Sequence, residues 1–236
     1  MLTAIMLGMA MAVCAEEGMK REFPTDGIQA VRIQTGSGDI AVHAGEKIIV
    51  EVVENKEPHR CYLTIEARDG EIILKAENAK HQFVAGKGCG AGFHVSVPAV
   101  LSLDAKADSG NIALNGMSGE VALSLGNGHI SGTLSGRLTA KIGSGTIALT
   151  GLTSSADVKS NSGEVSLVWA KAPISSVDVT TYSGDVLLVF PVGTKLQANQ
   201  IASSGATVNK LGDAPEAPLK VSVITGAGNS TIQAAD

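Results

Sequence analysis

The residues best placed to do chemistry follow a set of short glycine-containing pairs in the second half of the chain. Glu164 and Asp185 each come directly after a Ser-Gly pair, and His129 follows an equivalent Asn-Gly pair. Two carboxyl groups about 5 Å apart are the arrangement that retaining glycoside hydrolases use as nucleophile and general acid. A catalytic site formed by these residues would therefore act on polysaccharide.

The competing interpretation is that these side chains form the solvated face of β-strands. Polar residues that follow a turn commonly face water, and a lone histidine on such a face is more often solvated than catalytic. Aromatic residues make up only 3% of the chain, which leaves few platforms on which a sugar ring could stack. We therefore predict no catalytic residues and expect that the chain is not an enzyme.

The elements that would position these residues belong to a repeat. One sequence phrase recurs: a small residue, glycine, a polar residue and then alternating apolar residues. Successive copies lie 18, 17, 18, 21 and 21 residues apart, and an early copy occurs in the segment GSGDI. A fixed period near twenty is typical of a structural unit that stacks along an axis. The predicted repeat-turn glycines are Gly38, Gly110, Gly128, Gly145, Gly163, Gly184 and Gly205.

Each repeat contains two strand-length segments with alternating apolar residues. In the first, Ile112 and Leu114 precede a turn at 115–119, and Val121 and Leu123 follow it. This period of two places all four side chains on one side of the chain. No helical pattern is long enough for a crossover helix, so the strands must stack directly. The pattern predicts an all-β, single-stranded, right-handed parallel β-helix with coils of about 18–21 residues, the handedness following from the general rule for parallel crossovers.

Two cysteines lie in a long irregular segment before the regular repeats. In an exported protein, Cys61 and Cys89 are expected to form a disulfide, which closes a loop of 28 sequence steps. Zinc is the alternative, because histidines flank these cysteines at positions 59, 81 and 94. Neither a C-x-x-C nor an H-x-x-x-H pair is present, however. We therefore predict no metal and no cofactor.

The first residues resemble an export signal. The segment 1–15 is apolar throughout and is followed by Glu16 and Glu17, and Val13-Cys14-Ala15 fits the small-x-small rule for signal peptidase. Cleavage is predicted after Ala15. Acylation of Cys14 as a lipoprotein is the less favoured alternative, because valine precedes the cysteine. The predicted location is the periplasm or the cell surface.

Composition limits the remaining function classes. The formal net charge is −5, with 18 basic and 23 acidic residues dispersed along the chain, which gives no electrostatic basis for binding nucleic acid. Hydrophobic residues make up 44%, enough for a core. The predicted organisation is a signal peptide (1–15), an N-terminal β region with the disulfide-bearing loop (16–105) and the regular β-solenoid repeats (106–236).

The segments VRIQTGSGDIAV and VSVPAVLSLDAKADSGNIAL, with the tandem Ser-Gly phrases after them, resemble the "putative adhesin" family of bacterial exported β-strand-repeat proteins. The resemblance implies a single-stranded β-helix and an envelope location, and it carries no catalytic residues. We therefore predict a non-catalytic adhesin or envelope-binding and structural module, with a polysaccharide-active enzyme as the alternative. The partner is left open among a cell-surface polymer, an envelope protein and a second copy of the chain.

Overall fold

The computed structural model describes residues 18–55, 61–78 and 89–235. Every regular element within these residues is a β-strand, and the strands join into one 18-stranded sheet. The first seven strands are β1 (Lys20–Phe23), β2 (Ala30–Ser37), β3 (Ile40–Ala44), β4 (Ile48–Asn55), β5 (Cys61–Arg68), β6 (Glu71–Asn78) and β7 (Ala91–Val97). The prediction of an all-β fold is confirmed.

The later strands supply the regular part of the structure. Three of them are 14 to 16 residues long and run through a corner, so that each contributes to both ladders described below. These strands are β8 (Ser102–Met117), β9 (Val121–Leu134), β10 (Leu138–Leu152), β11 (Ala156–Ser162), β12 (Val165–Trp169), β13 (Val177–Ser183), β14 (Val186–Phe190), β15 (Gln197–Ser204), β16 (Thr207–Asn209), β17 (Lys220–Ala227) and β18 (Ser230–Ala234).

The repeats pair in parallel and in register, one above the next. Gly110 is the partner of Gly128, and Gly145 is the partner of Gly128 on its other side. The pairings form two ladders of strands, the first built from the strand before each glycine and the second from the strand after it. In spatial order, the first ladder is β6, β2, β8, β9, β10, β11, β13, β17, β15, and the second is β7, β3, β8, β9, β10, β12, β14, β18, β16.

Each level of this column therefore consists of one strand from each ladder. Nine such levels stack in parallel within the described residues, which at about 4.8 Å per level gives a column about 40 Å long. The predicted boundary at residue 105 falls inside β8, and β2 pairs directly with β8. The N-terminal β region and the regular repeats thus share one continuous sheet.

The core lies between the two ladders and is aliphatic. Ile112, Leu114, Val121 and Leu123, the first predicted inward residues, are all between 0% and 3% exposed. Their counterparts in the following levels are buried as well, so the predicted inward face is confirmed. Burying one such side chain contributes about 1.5 to 3 kcal/mol. Because each level buries these residues only against its neighbours, the column is stabilised by stacking rather than by any single level.

The repeat glycines form a column of their own. All seven have positive φ, and a Cβ atom on any of them would overlap the backbone carbonyl of the residue one level away. Glycine is thus required both by the left-handed backbone conformation and by the close approach of the neighbouring level. Gly228 has the same φ and the same overlap, with Gly184 as its neighbour.

The order of levels departs from the sequence at the C-terminal end. The last glycine phrase of the sequence, around Gly228, would end the column if the levels followed chain order. Instead β17 and β18 lie between the β13/β14 level and the β15/β16 level, so the segment around Gly205 is terminal. The inward residues explain the exchange. Val221 and Val223 can be buried on both sides, whereas Gln200, the partner of Val223, is polar and belongs at an end.

The N-terminal end shows a similar exchange. The segment predicted as an irregular excursion contains β6, which together with β7 forms a further parallel level on β2 and β3. Beyond it β5 pairs antiparallel with β6, β4 pairs antiparallel with β7, and β1 pairs antiparallel with β4. The sheet is therefore mixed, and the prediction of a purely parallel β-helix is wrong for this end.

Candidate functional site

The polar residues that follow the repeat glycines do form one outward row. Within the row, Asn229 stands between Asp185 and Ala206, because the β17/β18 level is inserted there. The row runs Asp39, Asn111, His129, Thr146, Glu164, Asp185, Asn229 and Ala206. Glu164 and Asp185 lie on adjacent levels, as predicted.

Hydrogen bonds between levels occupy most of this row. The Asp185 carboxylate accepts bonds from the backbone N–H of Asn229 at 2.7 Å and from its side-chain amide at 3.2 Å. Asp39 holds Asn111 in the same way, at 2.8 and 3.1 Å. These aspartates therefore link neighbouring levels. Asp185 thus makes a structural contact that joins its level to the next.

The histidine of the row is engaged in the same manner. His129 Nδ1 lies 2.6 Å from the hydroxyl of Thr146 on the next level. His129, Glu164 and Asp185 line neither of the two clefts described next. The alternative, a polysaccharide-active enzyme, would require these three residues to converge in a groove. They do not converge at either of these two clefts.

Two adjacent clefts lie at the start of the first-ladder strands, with volumes of about 240 and 440 Å³. They share Ser176 and Asp178, so together they form one trough along the column, which we call the corner trough. Its lining is mainly polar. The residues that line it are Arg137, Leu138, Thr139, Ser155, Ala156, Asp157, Ser176, Asp178, Gln197, Ala198, Asn199, Asp213, Pro215, Lys220, Val221 and Ser222.

The strand register places the floor of the corner trough. Asp157 is the partner of Thr139 on one side and of Asp178 on the other, and Ser222 and then Asn199 continue the row. Side chains at successive levels point outward at a repeat of about 4.8 Å. The floor therefore presents hydroxyl, carboxylate and amide groups in a straight line over five levels.

Contacts within the protein fix the walls of the trough. Arg137 Nε donates to Ser155 Oγ at 3.1 Å, and Gln197 Nε2 donates to the carbonyl of Ala217 at 2.6 Å. Asp213 accepts a bond from the backbone N–H of Ala198 at 3.0 Å. The wall that contains Asp213 belongs to the segment 213–218, whose two prolines are a sequence signal for a loop.

Asp157 and Asp178 are the residues of the trough with the most available chemistry. Both are exposed, and neither carboxylate has a hydrogen bond or ion pair within the described parts of the chain. Arg137 and Lys220 supply positive charge toward the two ends. The sequence analysis missed this pair because the two residues are 21 positions apart and follow no glycine.

The cysteines meet as predicted. Cys61 and Cys89 form a disulfide with their Cα atoms 5.1 Å apart. His59 and His81 of the zinc alternative lie outside the described residues, as do Cys14, the cleavage site after Ala15 and the rest of the predicted signal peptide. Among residues 18–55, 61–78 and 89–235, no three His, Cys, Asp or Glu side chains come together as a metal site.

Trp169 and Tyr182, two of the few aromatic residues of the chain, have opposite environments. Trp169 is buried, stacks on Phe190 with ring centroids 4.6 Å apart, and donates its indole N–H to the carbonyl of Ser154. Tyr182 is 79% exposed on the outer face of the first ladder, because it occupies an outward position of β13.

In the part of the chain that the structure describes, no helix has the length and apolar character needed to cross a membrane. Searching with the whole chain found solved structures of low sequence identity. A "putative cell adhesion protein" from Clostridium sporogenes is 13% identical and covers 93% of this chain and 99% of its own, with a TM-score of 0.39. A "putative adhesin" from Bacteroides fragilis is 12% identical, with coverages of 94% and 98% and a TM-score of 0.41.

A third structure, a "putative lipid binding protein" from Parabacteroides distasonis, is 14% identical, with coverages of 93% and 97% and a TM-score of 0.40. No curated protein matches the chain. The family described as Toastrack DUF4097, a domain of unknown function, matches residues 20–217, which is most of the chain. The protein therefore belongs to the Toastrack DUF4097 family.

Proposed function

We propose that this protein is an exported, non-catalytic binding module, wound as a single-stranded right-handed β-helix, that holds a polar polymer of the cell envelope or cell surface in its corner trough. The observation that carries the proposal is the straight row of outward polar groups along the trough floor. Five levels span about 19 Å, which suits an extended chain better than a compact ligand.

The chemistry of the trough favours a saccharide. The free carboxylates of Asp157 and Asp178 accept hydrogen bonds from sugar hydroxyls, and Asn199 both accepts and donates. Ala198 and Pro215 add small apolar surfaces against which the C–H face of a sugar ring can pack. A few fixed polar groups beside apolar surface are the usual composition of a site that orients its ligand.

Export is supported by the disulfide. Cytosolic thiols are kept reduced, whereas disulfides form and persist in the periplasm and outside the cell. Cys61 and Cys89 lie at disulfide distance in the folded chain. The apolar segment that precedes Glu16 agrees with the same route.

A polysaccharide-active enzyme is the second candidate, and one observation favours it. Asp157 and Asp178 are neighbours across one level, which is close to the carboxyl separation of a retaining glycoside hydrolase. Both residues are exposed, however, and a general acid needs burial or a neighbouring charge to stay protonated near neutral pH. Product analysis separates the two candidates, because a binding module leaves the polymer length unchanged.

The test is a glycan array on the chain beginning at Glu16, followed by titration of the best-bound saccharide. The double variant Asp157→Asn with Asp178→Asn removes both charges without changing side-chain size, and we expect it to weaken binding at least about tenfold, or about 1.4 kcal/mol. Asp108→Asn is the matched control, since Asp108 is an exposed outward aspartate of the same ladder outside the trough. Equal affinity of the double variant and the wild type would refute the proposed site.

A further inference from the structure

The terminal level of the column has two strands, β15 and β16, that are each paired on one side only within the described residues. The first pairs with β17, and the second pairs with β18. Natural sheets usually protect such an edge with charged residues, proline or a covering segment, because an open edge can pair with another strand. No charged residue occurs between Lys195 and Lys210, so β15 and β16 lack the first of these protections.

The side chains beside this edge change character as well. One outward row of the first ladder carries Lys106, Ser124, Lys141, Lys159 and Thr180, and its last two members are Ile224 and Ile201. Ile224 is 41% exposed and Ile201 is 50% exposed. An exposed apolar pair at the end of an otherwise polar row indicates a surface that is covered in use.

Other contacts limit how much of β15 is available. Asp213 already accepts a hydrogen bond from the N–H of Ala198 at the start of the strand. Gln200, on the inward side, donates to the carbonyl of Ser230 at 3.2 Å. The core at this end is therefore closed by its own hydrogen bonds. The available part of the edge is the segment 199–204, with Ile201 near its centre.

We propose that this edge is the interface between two copies of the chain, in which β15 pairs antiparallel with β15 of the second copy about a two-fold axis at Ile201. That register places Ile201 beside its own counterpart and extends the apolar row to four isoleucines, Ile224 and Ile201 from each copy. Cross-strand apolar pairs stabilise antiparallel sheets in this way. Asn199 then lies opposite Ser203 of the second copy, which pairs polar with polar.

Charge is the reason for choosing a second copy as the occupant. An uncharged strand meets its own copy without repulsion, whereas the edge strand at the other end, β5, carries Glu66 and Arg68. Arg21 also donates to the carbonyl of Ile65 in β5 at 3.0 Å, which occupies that edge. Head-to-tail stacking is therefore disfavoured. A two-fold pairing of identical edges closes at the dimer, because each copy uses its β15 edge once.

The experiment measures the molar mass of the purified chain by sedimentation equilibrium over a range of concentrations. We expect a reversible monomer–dimer equilibrium. Ile201→Lys places two ammonium groups side by side on the axis and is expected to weaken the dimer at least about tenfold. Thr180→Lys is the matched control, because it adds the same charge to the same row two levels from the edge, and we expect it to leave the dimer unchanged.

A cross-linking variant fixes the register. Ile201→Cys is expected to give a covalent dimer under mild oxidation, since residues opposite each other in antiparallel strands lie within disulfide reach, whereas Thr180→Cys is not. A wild-type chain that stays monomeric at high concentration would overturn the proposal. Assembly into species larger than a dimer would overturn it as well. So would an equal weakening of the assembly by Ile201→Lys and Thr180→Lys.

Discussion

The two ends of the column are closed in different ways. The N-terminal end carries antiparallel strands, a disulfide and charged pairs such as Arg32–Glu71 at 3.0 Å and Lys47–Glu22 at 2.8 Å. The hydrogen bond from Lys47 to the Glu22 carboxylate raises the pKa of that lysine above its ordinary value. The C-terminal end consists of β15 and β16, which are uncharged and largely exposed. The N-terminal end is therefore capped, whereas β15 and β16 are each left paired on one side only within the described residues.

Both ends nevertheless share one feature. At each end, two strands from later in the chain lie between two earlier strands and the rest of the sheet. These inserted strands are β6 and β7 at the N-terminal end and β17 and β18 at the C-terminal end. A strand inserted in this way is paired on both sides and buries both neighbours. At the C-terminal end, the terminal strand β15 has a weaker apolar face than the inserted strand β17.

Glycine substitutions at the two ends are expected to give the largest difference. Gly38 is held between Gly110 and the β7 level, whereas Gly205 lies at the open edge, although a Cβ would overlap a carbonyl at both positions. Because the terminal level can shift outward, we expect Gly38→Ala to lower the free energy of unfolding by about 4 kcal/mol and Gly205→Ala by about 1 to 2 kcal/mol.

Urea denaturation of the two variants measures this difference. Gly212→Ala is the control, because Gly212 has positive φ but a Cβ there would meet nothing within 4 Å. It isolates the backbone cost alone, about 1 kcal/mol. Equal losses for Gly38→Ala and Gly205→Ala would mean that the two ends are equally rigid, and the distinction between the capped end and the end paired on one side would fail.

Removal of the disulfide is expected to have the next largest effect. The bond joins positions 28 residues apart, and opening a loop of that length costs about 3 to 4 kcal/mol in the chain-entropy model. We expect reduction of the wild type to lower the midpoint of urea unfolding and to speed hydrogen exchange in β6 and β7 more than in β15. A reducing agent that leaves the midpoint unchanged would show that antiparallel pairing alone closes this end.

Much of the column could be predicted from the sequence, because the pattern behind it is local. Alternation such as that of Ile112 and Leu114 determines which side of a strand is buried, and Gly128 or Gly145 marks a corner whatever lies above it. The corner trough was not predicted, since Asp157 and Asp178 meet only through long-range pairing. The exposure of Tyr182, by contrast, follows from the local alternation of β13, in which Val177 and Val179 are buried and Tyr182 faces outward.

The order of the levels was the main error, and its cause is physical. Any segment with the repeat glycine can stack on any other such segment. The spacing of the glycines in the sequence therefore does not determine which segments are neighbours in the column. The polar inward residue Gln200 was the available signal, because a polar side chain at a core position is tolerated best at an end of the column. The contrast between the apolar inward residue Val223 and the polar inward residue Gln200 therefore predicts from the sequence that β15 lies at the edge.

Cysteine cross-linking of the first ladder tests this order most directly. The structure pairs Asp178 with Ser222, whereas Asn199 lies one level farther away. We expect the variant with Asp178→Cys and Ser222→Cys to form a disulfide in high yield, because paired residues lie within the required Cα separation, and the variant with Asp178→Cys and Asn199→Cys to remain reduced. Efficient cross-linking of the second pair and none of the first would contradict the insertion of the β17/β18 level. The account of how the ends of the column are closed, which depends on that insertion, would fail with it.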